Sequence, residues 1–241
     1  MSSPDATEIR GMLHRQLGSL RSLNDPVRHP ANRSPWLAPL RAWQAERLAG
    51  SFRDFLADPR MRPAAEFFLS DLYGDRDFSA RDQQIGKVVP IMARIMPARL
   101  LLALGDAIAL AALSHAFDLR MCRVLEAGWG PRPALDLPTY AEAYRRCGLP
   151  RLRERQIDLI VELGWTLDDA VHRIGVERLL KLSRLPARAA GLSDLQQFLE
   201  RGFAAFRKLD GADEFLARIE SGERAVSARL FAGDPAPFRP S

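Results

Sequence analysis

The chain has 241 residues, enough for a full hydrophobic core in one large domain or two small ones. Hydrophobic residues make up 47% and charged residues 27%, with a formal net charge of +5 and a pI near 9.7, an ordinary balance for a soluble globular protein. Only two cysteines occur, Cys122 and Cys147, in no CxxC pair and beside no cluster of His, which excludes a disulfide scaffold and any zinc-site spacing.

The N-terminal MSSPDATEIRGML has no basic segment followed by an apolar one, so the expectation is a cytoplasmic protein without a signal peptide. Nearly all the positive charge is Arg, with Lys only at Lys87, Lys181 and Lys208. Arg suits phosphate contacts. Acidic residues are interspersed with it almost everywhere, however, so the excess reads as the codon usage of a GC-rich genome.

Helical periodicity dominates and strand signals are nearly absent. A first helix is predicted over residues 5–23, followed by the Pro-broken loop NDPVRHPANRSP. Ser34 and Pro35 then suit a helix start, and the second helix runs to about Ala57 with Trp36, Leu40, Trp43, Leu48, Phe52 and Phe55 on its apolar face. Arg62-Pro63 opens a short helix through AAEFFLSDLY, which Gly74 stops. Ser79 with Asp82 forms a capping box for the next helix, which Pro90 kinks.

Pro97 opens the longest pattern, apolar nearly all round from Ala98 to Phe117. Asp106 near its middle argues against a membrane span and for a buried helix of a bundle. Further helices are predicted over residues 138–146, 152–173, 176–184, 193–209 and 212–231. Gln196 completes a capping box with Ser193, and the Pro-rich 233–241 reads as a disordered tail. The chain thus reads as all-α: an N-terminal helix and polar loop over 1–33, then a single-domain bundle over 34–232, with roughly nine or ten helices around the long apolar one.

Gly-rich phosphate loops, GxSxG elbows and HExxH are absent from the sequence. Asp106 is the sharpest single candidate, because a carboxylate on an apolar helix needs a partner or a raised pKa. His115, nine residues on, falls on the opposite helix face. Asp168, Asp169 and His172 share a face and come nearest to a metal pair, but no matching E-x-x-H completes a metal set. A solvated i,i+4 pair accounts for them. Arg145, Arg146, Arg151, Arg153 and Arg155 form the one concentrated basic segment, with Tyr140 and Tyr144 nearby. Glu142, Glu154 and Asp158 lie within reach of it, so the segment reads as a solvated face and no specific nucleic-acid binding is expected.

The densest stretch is EFFLSDLYGDRDFSARD, residues 66–82. Phe67, Phe68, Leu72 and Tyr73 are expected to anchor a helix–turn–helix joint, while its charges pair across it. There is more charge here than a joint requires, so Glu66, Asp71, Tyr73, Asp77 and Arg81 join Asp106 as ligand-binding candidates. At FFLSDLYG and DFSARD the chain resembles an uncharacterised group of bacterial helical proteins, and the likeness extends to LQQFLERGFAAF, residues 195–206. That resemblance implies an all-helical fold and brings no activity or cofactor with it. The functional expectation is a helical binding or regulatory protein holding a small apolar or amphipathic ligand, or a protein partner, between helices. The alternatives are a metal- or haem-dependent helical-bundle enzyme and, behind it, a nucleic-acid binder.

Overall fold

A computed structural model of the chain describes residues 6–72, 98–131, 134–182, 184–189 and 193–239; within them the chain is helical and contains no strand. The helices are α1 (Ala6–Asn24), α2 (Leu37–Ser51), α3 (Arg53–Ala57), α4 (Arg62–Phe67), α5 (Ala98–Trp129), α6 (Leu137–Cys147), α7 (Pro150–His172), α8 (Val176–Leu182), α9 (Arg184–Ala189), α10 (Ser193–Leu209) and α11 (Asp213–Ala232). A 3-10 turn, Pro30–Arg33, precedes α2, and a π-helical turn, Phe68–Leu72, continues α4. Among the described residues no helix is long and apolar enough to cross a membrane.

Two predicted helix boundaries are corrected. The second helix breaks at Phe52, and its N-terminus lies at Leu37 rather than at Pro35. Ser34 still holds the entry, since its Oγ accepts from the Trp36 amide at 3.2 Å and donates to Glu126 Oε1 of α5 at 2.5 Å. The joint expected over residues 66–82 is described only as far as Leu72; within it Phe67 and Phe68 are buried as expected. The capping box at Ser79 and the kink at Pro90 lie outside the described residues.

The 32-residue α5 packs against α1, α2, α6, α7 and the 3-10 turn. One apolar cluster joins α2–α4, α7, α10 and α11. At its heart Phe68 meets Phe215 edge-on at 5.6 Å, and Phe55 meets the same ring at 5.0 Å. Two glycines set close helix approaches here. A Cβ on Gly164 would stand 2.3 Å from Leu216 Cδ2, and one on Gly202 would stand 2.8 Å from Phe67 Cζ. Only a residue without a side chain lets α7 close on α11 and α10 close on α4 at these points.

A second cluster joins α2, α5, α6 and α11 around Trp36, Met121 and Tyr140. The Pro-rich tail belongs to it. Expected to be disordered, it is packed as far as Arg239. Phe238 lies 5.7 Å from the Trp43 ring and under the Arg47 guanidinium at 5.4 Å, and Arg229 donates to the carbonyls of Pro237 and Arg239. One aromatic side chain with a waiting hydrophobic slot, plus two carbonyl acceptors, outweighs the ordering entropy of a short Pro-restricted segment.

Candidate functional site

His115, Asp118, Cys122 and Glu126 recur at intervals of three and four along α5, and so form one stripe. That stripe faces the 3-10 turn and α2. Arg41 of α2 donates through Nη2 to His115 Nδ1 at 2.9 Å and through Nε to Asp118 Oδ2 at 3.2 Å. A guanidinium has no acceptor, so Nδ1 carries the lone pair and the proton sits on Nε2. That Nε2 then donates to Asn32 Oδ1 at 2.9 Å, while Asn32 Nδ2 donates to the carbonyls of Leu23 and His29 at 2.9 Å each. The chain of donors is self-consistent and holds a neutral imidazole.

The electrostatics agree with that assignment. Burial first, and then the Arg41 charge, push the His115 pKa down to about 4. Burial raises Asp118, opposed by Arg41, by Arg153 and by a Gln44 hydrogen bond. Burial also pushes Cys122 up to about 12, against the lowering effect of a contact with Ser34. A thiol pushed in this direction stays protonated at neutral pH.

On the next face of α5, Phe117 and Ser114 meet α7. There Arg153 lies only 8% exposed, its guanidinium 3.6 Å from the Phe117 ring centre and 4.6 Å from that of Tyr144. Its Nη1 donates to Gln156 Oε1 at 3.2 Å, and Gln156 Nε2 donates in turn to Ser114 Oγ at 2.7 Å. Tyr144 is fixed by a 3.0 Å hydrogen bond between its hydroxyl and that of Ser227. Arg153 Nε and Nη2 are buried and have no hydrogen-bond partner among the described residues. A buried donor left unmade is costly.

The corner that aims Arg153 inward is itself unusual. Gly148 and Leu149 both take positive φ, 64° and 63°, just before Pro150 opens α7. For Leu that conformation is strained. Arg120 pins the corner by donating to the Cys147 carbonyl at 2.7 Å.

The predicted candidates fall elsewhere. Glu66 is exposed on α4; Asp71 lies in the π-helical turn; Tyr73, Asp77 and Arg81 lie outside the described residues. Asp106 is half-buried between α5 and α7, where burial and then the Glu162 charge raise its pKa against the pull of Arg155. Arg155 is engaged with Glu162 at 2.8 Å. Asp106 and His115 do face different neighbours.

Asp168 is largely buried with an unpartnered Oδ1, but His172 Nδ1 lies 3.8 Å from it and 2.8 Å from the Asp168 backbone carbonyl. Among the described residues no group of three or more His, Cys, Asp and Glu gathers as a metal site would require. The five Arg residues do not form one solvated face. Arg145 and Arg146 both bind Glu142, and Arg155 binds Glu162, whereas Arg153 is in the interior. Sequence spacing held the correction: Arg153 precedes Ile157, Ile160 and Gly164 at intervals of three and four, on the buried face of α7.

Comparison with family models finds one described as a domain of unknown function (DUF8198), matching residues 24–237. No curated protein and no solved structure matches the chain.

Proposed function

The chain belongs to that family, whose description assigns no activity, and from the buried seam we propose that it is a helical binding or regulatory protein holding a ligand between α5, α6 and α7. One observation carries this reading: Arg153 is buried, and its Nε and Nη2 have no hydrogen-bond partner among the described residues. Had the seam served packing alone, an apolar side chain of similar volume would be as stable or more so at this position. Proteins retain such unsatisfied groups where function needs them. The FFLSDLYG and DFSARD segments are, on this reading, a signature shared within the family.

A metal-dependent helical-bundle enzyme is the second reading. Its supporting observation is the unpartnered, largely buried Oδ1 of Asp168 one turn before His172. Nucleic-acid binding ranks below both, because Glu142 and Glu162 already engage Arg145, Arg146 and Arg155.

The test is a gently purified full-length sample examined three ways: native mass spectrometry, metal analysis and an absorption spectrum. A non-covalent small-molecule adduct is the expected result. Stoichiometric iron or manganese, or a coloured sample, would instead put the enzyme reading first.

A further inference from the structure

We propose that the Nε/Nη2 edge of Arg153 is a carboxylate-recognition fork, and that the ligand of the α5–α6–α7 seam is a small monocarboxylate. This rests on the ligand-binding reading above and names the chemistry of what binds.

The two unpartnered nitrogens are not an arbitrary pair. Nε and Nη2 present parallel N–H bonds along one side of the guanidinium, the edge that takes both oxygens of a carboxylate at once. The same chain shows that edge in use. Arg184 binds Glu200 through Nε at 2.7 Å and Nη2 at 2.8 Å, and Arg173 binds Asp169 through the same two atoms at 2.9 and 3.2 Å. Those pairs are exposed and of little worth. Arg153 offers the identical edge away from water, where a charge-assisted pair of hydrogen bonds is stronger.

The fork is also held still. Phe117 and Tyr144 contact the guanidinium, Gln156 takes its remaining terminal nitrogen, and Ser227 and Ser114 fix Tyr144 and Gln156 in turn. Ordering costs that a ligand would otherwise meet on binding are already met by the fold.

Charge points the same way. Asp118 is near enough to feel Arg153, but its hydrogen bonds go to Arg41 and Gln44. With His115 neutral, Arg41 and Arg153 both act on Asp118, two guanidinium groups against that one carboxylate. A single negative charge with two coplanar oxygens completes both the charge and the hydrogen bonds. A phosphate dianion would overfill the charge and bring more oxygens than one fork serves.

The experiment is thermal unfolding of the full chain at pH 7.5 in sodium acetate, butyrate or benzoate. Each acid is paired with its neutral amide, and sodium chloride and inorganic phosphate are matched in ionic strength. The expected result is a saturable rise in Tm with one or more of the acids and none with the amides, chloride or phosphate. Arg153→Lys, which keeps the charge and loses the fork, should weaken the response by about ten-fold or more. Arg153→Met should remove it, with circular dichroism confirming that each variant is folded; if Arg153→Met does not fold, Arg153→Lys decides. Amides that stabilise as well as acids would overturn the fork while leaving a binding site. An undiminished response in Arg153→Lys, a phosphate response equal to that of the acids, or no response to any acid would overturn the proposal. In the last case the native mass spectrum separately decides whether a ligand of another class is bound.

Discussion

The Phe68 cluster and the Arg153 seam are neighbours built on opposite terms. Around Phe68 the ring contacts are aromatic: Phe52 stacks on it, Phe67 and Phe215 meet it edge-on, and Phe206 lies tilted against it. Around Arg153, Phe117, Tyr144 and Gln156 are tied to the guanidinium by ring contacts or a hydrogen bond, yet two of its donors have no partner among the described residues. In the first region each contact adds stability. In the second, polar order is maintained at a standing cost, which the proposed binding role would account for.

That contrast breaks first, and by most, at Phe68. Replacing this buried ring with Ala should cost about 3–5 kcal/mol. Urea unfolding reads it directly, and a loss below about 1 kcal/mol would mean that the ring is not the cluster's anchor.

The His115 stripe beside the seam responds to pH where the apolar cluster does not. Folded His115 stays neutral down to about pH 4, because burial and Arg41 disfavour its proton. The unfolded chain takes up that proton near pH 6.5. Stability should therefore fall as pH drops from about 6.5 to about 4 and then level off, by at most on the order of 3 kcal/mol from this group. Asp118 works the other way. Its raised folded-state pKa means that the folded chain takes a proton before the unfolded one does, which supports the fold as pH falls. Comparing wild type with His115→Asn at pH 7.5, 5.5 and 4.5 isolates the imidazole. A variant with the same pH slope as wild type would show that His115 is not held neutral.

Gly164 gives a smaller effect. The Cβ of Gly164→Ala would press on Leu216, which is fully buried, and should cost about 1–3 kcal/mol. Leu216→Ala is destabilising by itself, but in its background the added methyl should cost little or even help. Strict additivity would show that α7 and α11 do not close at this point.

Most of this architecture was legible in the sequence. Apolar positions at intervals of three and four gave α10 its bounds, Ser193–Leu209, and marked Phe67 and Phe68 as buried. Local signals failed where a tertiary contact decides. Phe52 breaks the second helix because its ring turns into the Phe55–Phe68 cluster, and Phe238 draws a Pro-rich tail onto Trp43.

The site was harder to read for a related reason. His115, Asp118 and Cys122 stood in plain spacing along α5, but the partners that give them meaning, Asn32 and Arg41, come from about 75 to 85 residues earlier in the chain. Arg153 was hidden by its four Arg neighbours in sequence, three of them exposed and Arg145 half-buried. Counting charge along the chain grouped it with them, while counting by helical face would have placed it with Ile157 and Gly164.

The central claim is that Arg153 is retained for binding and not for folding. Urea unfolding of ligand-free wild type and Arg153→Met tests it most directly. Met fills a similar space and leaves Asp118 paired with Arg41. The account predicts a variant within about 1 kcal/mol of wild type, or more stable. A loss of about 3 kcal/mol or more, the size expected when a needed buried partner is removed, would make Arg153 a structural cation and contradict the account.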